Sequence, residues 1–247
     1  MPEKFFNQTQ NLMKTLTIVL SCLILASCSQ KKKPNENNSE MESNNVISLF
    51  DGNTLDGWRN YRSQSGGSWA VADGTIHLPA FDNRQNKDLV DLITTEKYDN
   101  FELSLEFKID NQSNSGIIYL CSEEFDHSYA SGPEYQVLDD VGYPGEKIPS
   151  RLTSSLYDLY APDSASVTPV GEWNSVKIIV NNDTIEHWLN GKKVLSCVRG
   201  SADWNSRVAN SKWKDFSGFG LTKVGHIALQ DHGNEVWYRN INIKKLN

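Results

Sequence analysis

Glu134, Gln136, Gln230 and His232 are the polar residues whose types and spacing could do chemistry in this chain. Glu134 and Gln136 alternate within Gly132-Pro-Glu-Tyr-Gln-Val-Leu-Asp-Asp140, and Gln230 and His232 alternate within Gly225-His-Ile-Ala-Leu-Gln-Asp-His-Gly233. A carboxylate and an imidazole can each carry a proton, and carboxamides both give and accept hydrogen bonds. A third polar set, Glu186 and Trp188 in Thr184-Ile-Glu-His-Trp-Leu189, adds an indole that can stack on the apolar side of a pyranose. These types together suit a carbohydrate-sized groove with a proton-transfer centre.

Strands are the elements that must position them. Side chains alternate between the faces of a strand, so each pair above shares a face. Tyr135 and Val137 fall opposite Glu134, Gln136 and Leu138. Ile227 and Leu229 fall opposite His226, Ala228, Gln230 and His232. Ile185 and Leu189 fall opposite Glu186 and Trp188, and His187 joins the apolar side, where a hydrogen-bonded core histidine is commoner than a ligand. The competing reading of Glu134 and Gln136 is an ordinary solvated outer face. Against it, the strand feeds directly into the long, tyrosine-bearing segment from Asp139 to Glu172.

The rest of the chain is of the same kind. Phe101-Glu-Leu-Ser-Leu-Glu-Phe-Lys-Ile109 alternates strictly, which predicts a half-buried strand with Phe101, Leu103, Leu105 and Phe107 in the core. Asn190-Gly191 and Asp73-Gly74 predict tight hairpins, because these residue types tolerate positive φ. Asp139–Glu172 is predicted to be an ordered functional loop, since loops of this length in compact domains rarely lack a role. Asp203–Phe216 is predicted to be a short helix packing through Trp204, Val208 and Trp213 over one end. Short strands, frequent turn residues and no βαβ rhythm predict an all-β, jelly-roll sandwich of two antiparallel sheets.

The N-terminus carries different information. Met13–Cys28 has one lysine, a short apolar run and Leu-Ala-Ser-Cys, the layout of a secretory signal ending in a lipobox. It predicts an exported lipoprotein, in the periplasm or at the cell surface, anchored to the membrane by lipid on Cys28, with Met13 as the initiator. Residues 29–45 are polar and predict a tether, and the folded domain is expected over 46–247. The net charge of −7, from 31 acidic and 24 basic residues, argues against nucleic acid as a partner. Cys121 and Cys197 are equally compatible with a disulfide and with two buried thiols.

A set of ordered motifs then carries a resemblance. Leu49-Phe-Asp-Gly-Asn-Thr-Leu-Asp-Gly-Trp58, Asn114-Ser-Gly-Ile117, Gly132–Asp139, Tyr157-Asp-Leu-Tyr-Ala-Pro162, Gly171-Glu-Trp-Asn174, His187–Gly191, Leu229–Gly233 and Tyr238-Arg-Asn-Ile241 occur in this order. Over residues 46–247 the chain resembles the DUF1080, or 3-keto-disaccharide hydrolase domain, family. The resemblance implies a concanavalin A-like sandwich and cleavage of glycosides already oxidised to a ketone at C3. It points to Glu134 and His232 as catalytic residues. It points to Gln136, Asp139 and Gln230, with Arg239 supporting, as substrate-binding residues, and the strand-face and loop readings add Trp188 and Tyr157 to them. It leaves the roles of base and acid open.

Chemistry independent of the resemblance is consistent with it. A ketone at C3 acidifies the hydrogen on C2, so a base can remove that proton, the C1 substituent can leave, and water can add to the enone. This needs a base, an acid and stabilisation of the enolate oxygen. A divalent cation on Glu134, Asp139 and His232 could supply the last, although no H-E-x-x-H-like spacing is present. Two other functions use the same residues: a conventional glycosidase, and a non-catalytic carbohydrate-binding lipoprotein. The E-x-D-x-x-E run of glucanases on this fold is missing, because Gln136 stands where the aspartate would be.

Overall fold

Hydrophobic alternation builds most of the molecule. In a computed structural model that describes residues 45–83 and 89–247, the strands in chain order are β1 (Val46–Ser48), β2 (Trp58–Asn60), β3 (Ala70–Ala72), β4 (Thr75–Leu78), β5 (Leu92–Thr94), β6 (Phe101–Ile109), β7 (Asn114–Cys121) and β8 (Glu134–Leu138). There follow β9 (Asn174–Asn181), β10 (Thr184–Leu189), β11 (Lys192–Val198), helix α1 (Ala202–Ala209), β12 (His226–Leu229) and β13 (Val236–Lys245). The leader, Cys28 and most of the tether lie outside the described residues.

Among the described residues the strands form two antiparallel sheets. The larger has eight strands in the order β11-β10-β9-β6-β13-β4-β3, with β1 also paired to β13, and the smaller has five in the order β2-β5-β12-β7-β8. This is the jelly-roll sandwich expected. β6 alternates buried and half-buried along its whole length, with Phe101, Leu103 and Phe107 fully buried and Leu105 nearly so. Their partners across the core include Ile117, Tyr119, Tyr135, Val137, Ile227 and Leu229 from the inner face of the smaller sheet. Each such side chain contributes roughly 1.5–3 kcal/mol by leaving water.

Local signals behave as their chemistry requires. The β10–β11 turn runs through Asn190 and Gly191 at φ 49° and 79°, and the β3–β4 turn through Asp73 and Gly74 at 49° and 72°. His187 is fully buried between the sheets. Its Nε2 lies 2.9 Å from the Tyr119 hydroxyl and its Nδ1 3.0 Å from the Ser154 carbonyl oxygen, and burial lowers its pKa to about 4. It is a neutral structural histidine. Cys121 and Cys197 are free, buried thiols.

Two segments differ in detail from expectation. The helix ends at Ala209, capped at its start by the Ser201 hydroxyl accepting from Trp204 N, and a separate 3-10 turn follows over Lys212–Asp215. The segment 139–172 is ordered by pairing rather than by tyrosines alone. Gln136 N donates to Ser155 O, Ser154 N to Gln136 O and Tyr157 N to Glu134 O, at 2.9–3.2 Å. The returning chain thereby covers the free edge of β8 and walls off the outer face of the smaller sheet.

Candidate active site

The outer face of the smaller sheet becomes a groove because loops rise on both sides of it. Glu134 and Gln136 project from β8, Asn114 from β7, and Gln230 from the end of β12, around a cavity of about 280 Å³. Tyr157 from the long loop, Lys212 from the 3-10 turn, and Tyr129 and Phe216 complete its walls, with His232 at the exposed rim. The alternation of β8 thus did put Glu134 and Gln136 opposite the core. They are nevertheless 4% and 2% exposed, because the loops desolvate them.

Gly116 makes room for the acid. It pairs with Gln136 on the neighbouring strand, so Glu134 lies diagonally across it. A Cβ on Gly116 would stand 2.5 Å from Glu134 Oε1 and 2.9 Å from its Cγ and Cδ. No side chain fits there while the carboxyl keeps its place. Gln230 is held through its backbone, with N donating to Gly116 O at 2.9 Å and O accepting from Ser115 Oγ at 2.7 Å. Its Nε2 reaches Glu134 Oε2 at 3.5 Å. Gln136 Nε2 donates to Arg151 O at 3.3 Å, while its Oε1 accepts from Val137 N at 3.1 Å.

Burial sets the electrostatics. It pushes the Glu134 carboxyl up from 4.5 to about 8, with Lys212 and the Gln230 amide pulling the other way. Burial likewise lowers the Lys212 ammonium, against the stabilising charge of Glu134. The Lys212 ammonium is placed by aromatic faces, 4.4 Å from the ring centroids of both Tyr157 and Trp213. Desolvation lowers the pKa of His232 and raises that of Tyr157. Behind the rim, Asp91 accepts from the Ser128 hydroxyl and from Asp231 N, while Asp231 Oδ1 accepts from Gly233 N and Oδ2 from Val90 N. This clasp fixes the Gln230–His232 turn. Burial raises the Asp91 carboxyl to about 6.

Of the residues singled out in the sequence, the structure gathers Glu134, Gln136, Tyr157, Gln230 and His232 in the groove. Three others lie elsewhere. Trp188 is on β10 and Arg239 on β13, both strands of the larger sheet and on its solvent face, a whole core away from the groove. Arg239 instead pairs with Glu106 at 2.6 Å and covers the Trp173 ring at 3.8 Å. Asp139 points away from Gln136, as alternation requires, and holds a turn. Its carboxylate accepts from the backbone N–H of Gly142, Val141 and Gln112, which outweigh burial and keep its pKa low. The set Glu134, Asp139 and His232 therefore does not converge on a cation. Among the described residues no group of three or more His, Cys, Asp or Glu side chains is placed to hold a metal. His226 does not line the central cavity; it is buried, with Nδ1 2.7 Å from Thr94 O and Nε2 3.5 Å from Glu123.

Lys212, Asn114, Tyr129 and Phe216 are groove residues that the sequence pattern did not single out. Asn114 had a signal: with Gly116 it puts an amide and a gap on the outer face of a core strand. Lys212 had almost none, being one lysine on a surface turn.

Comparison with known proteins follows the same architecture. The model of the 3-keto-alpha-glucoside-1,2-lyase-like domain matches residues 45–244. A 3-keto-disaccharide hydrolase of Bacteroides thetaiotaomicron is 32% identical, over 95% of this chain and 100% of that one. A solved structure of a candidate glycosyl hydrolase from Parabacteroides distasonis is 33% identical with a TM-score of 0.77, covering 84% of this chain and 97% of that one. A second from the same organism is 26% identical with a TM-score of 0.62, covering 81% and 99%. The sandwich, the ordered motifs and these matches agree that the chain belongs to the family of the 3-keto-alpha-glucoside-1,2-lyase-like domain.

Proposed function

We propose that this carbohydrate-processing enzyme cleaves 3-keto-glycosides, including 3-keto-disaccharides, by elimination and hydration, with Glu134 as the base. The observation that carries this reading is the Glu134 carboxyl, buried on the groove floor with its pKa raised to about 8. A general base works best when its pKa lies near the working pH. Glu134 takes the C2 proton, and the C2–H electrons form the C2–C3 double bond of an enolate. The enolate then reforms the ketone and expels the C1 oxygen, leaving a C1–C2 double bond. Water adds its oxygen at C1 and a proton returns to C2 from Glu134. The Lys212 ammonium, on the groove wall, supplies positive charge for the enolate oxygen. His232, kept neutral near pH 7, is suited to carry a proton from the attacking water to the expelled C1 oxygen, so that the aglycone leaves as an alcohol. Gln136 and Gln230 orient hydroxyls.

The paired-carboxylate route of a conventional glycosidase finds less support. Glu134 is the only carboxylate among the described residues lining the central cavity, and that route needs two acids flanking one bond. The test is turnover of a chromogenic 3-keto-glucoside beside its unoxidised parent. The keto sugar is expected to be cleaved and the parent left almost untouched, because its C2 hydrogen is not acidic enough for a side-chain base. Glu134→Gln should reduce turnover about 10²–10⁴-fold. Equal cleavage of both sugars would favour the glycosidase, and binding without turnover the lectin-like alternative.

The leader supports export and a lipid anchor on Cys28. Cys28→Ser should shift the protein from the membrane to the soluble exported fraction and abolish lipid labelling. Unchanged labelling would remove that part of the proposal.

A further inference from the structure

The groove continues beyond the central cavity on both sides. One side chamber, of about 300 Å³, shares Tyr129, Gln230 and His232 with the centre and extends to Gln64, Asp91 and His127. The other, of about 320 Å³, shares Asn114, Gln136, Tyr157 and His232 with the centre and extends to Tyr143, Glu146 and Arg151. Each is as large as the chamber that holds Glu134. Both outer linings combine aromatic rings with amide or charged groups, and His127 and Tyr129 stack in parallel with centroids 4.9 Å apart. Such linings suit sugars better than a purely apolar aglycone.

A second observation points to what enters. Gln230 Oε1 and Asn114 Oδ1 are buried and have no hydrogen-bond partner in the protein, in residues only 9% and 8% exposed. Buried acceptors almost always find donors, and leaving one unmet costs about 1–3 kcal/mol. Both belong to side chains that line the groove, one at each junction between the central chamber and a side chamber. What each acceptor lacks is an O–H or N–H from an occupant crossing that junction. Hydroxyls placed on either side of a glycosidic linkage meet that need.

We propose that the groove binds a glycan of at least three units. The reacting ring takes the central chamber, one sugar lies in each side chamber, and hydroxyls at the two junctions donate to Gln230 Oε1 and Asn114 Oδ1. This rests on the reading that the central chamber takes the oxidised ring, and it extends that reading by accommodating a ring substituted on both sides, at C1 and at a hydroxyl remote from it.

The test is binding, which does not require turnover. Calorimetric titration of wild type and of Glu134→Gln would use unoxidised gluco-oligosaccharides of one, two and three units in 1→2, 1→3, 1→4 and 1→6 linkages. In at least one series the affinity should rise by about fivefold or more at the second unit and again at the third, the worth of one or two net hydrogen bonds each. His127→Ala should remove one of these gains and Tyr143→Ala the other, so that each variant binds the trisaccharide about as a disaccharide. Affinity that levels off at two units or fewer in every series overturns the proposal, and so do gains that both variants leave intact. Failure of the 3-keto-glucoside assay alongside stepwise gains would reject the chemistry and keep the three-chamber groove. Turnover without stepwise gains would do the reverse.

Discussion

The two outer faces of the sandwich carry similar residues and have opposite fates. On the smaller sheet, Glu134, Gln136, Gln230 and Lys212 are enclosed by loops, and the acid is shifted toward neutrality. On the larger sheet the equivalent positions hold Glu106, Lys108, Lys177, Trp188, Trp237 and Arg239. There the charges are satisfied in water: Arg239 pairs with Glu106, Lys108 lies 4.3 Å from the Trp237 ring and Lys177 4.5 Å from the Trp188 ring. His77 stacks on Trp237 at 5.0 Å. Exposed ion pairs and cation–π contacts of this kind stabilise by only about 0–1 kcal/mol each. An acid and a cation become a reactive set when a cover excludes water from them, and part of a solubilising skin when it does not.

The largest break in this comparison would come from exchanging the same group on the two faces. Glu134→Gln should show the hundredfold or greater loss described above, whereas Glu106→Gln should leave turnover within about twofold, as expected for a surface position. Comparable losses from both would mean that cover is not what separates them. Next in size is Gly116→Ala. The added methyl displaces the Glu134 carboxyl without touching its chemistry, and a misplacement on the order of 1 Å costs about a hundredfold in rate. The protein should remain folded by circular dichroism; full activity would show that the carboxyl position is not critical.

Proton linkage sharpens the contrast further. Folding raises the Glu134 pKa from 4.5 to about 8, so the native state holds that proton more tightly than the unfolded chain. Stability from this group is complete below about 4.5 and is lost as pH rises through about 8. The melting temperature of Glu134→Gln relative to wild type should therefore climb over that window and level off above it. In the same window, kcat/KM of wild type should rise with pH as the carboxyl ionises. A flat difference in melting temperature would mean that the carboxyl is not desolvated. Smallest of all, Trp188→Ala and Arg239→Ala should change turnover by less than about twofold, their contacts being confined to the solvent face. A large loss in either would return that face to the site.

How far the sequence reached follows from what alternation encodes. It reports which side of a strand faces the core, so β6, β8 and β12 were read in the right phase and Glu134, Gln136 and Gln230 were placed outward. It does not report which sheet a strand joins. Trp188 and Arg239 were outward too, but outward from the other sheet, because β10 and β13 pair around β9 and β6 rather than around β7. Lys212 was illegible for a related reason. Ser211 Oγ accepts from Trp213 N and orients the turn, but only the packing of Trp213 against Phe219 and Tyr129 carries its neighbour Lys212 over the groove. That is tertiary information. The turn residues were legible because positive φ is a local demand.

The ladder along the edge of β8 has a consequence in time as well as in space. Strand β8 is hydrogen-bonded on both sides, to β7 on one and, through the backbones of Glu134 and Gln136, to the returning segment at Ser154–Tyr157 on the other. Swinging that wall aside would break several main-chain bonds at once, an event on the scale of subglobal unfolding rather than loop motion. On that side the site is a fixed slot and has no door. Any movement that admits a glycan must therefore come from the other walls of the groove, and this one serves as the fixed surface against which the glycan is held.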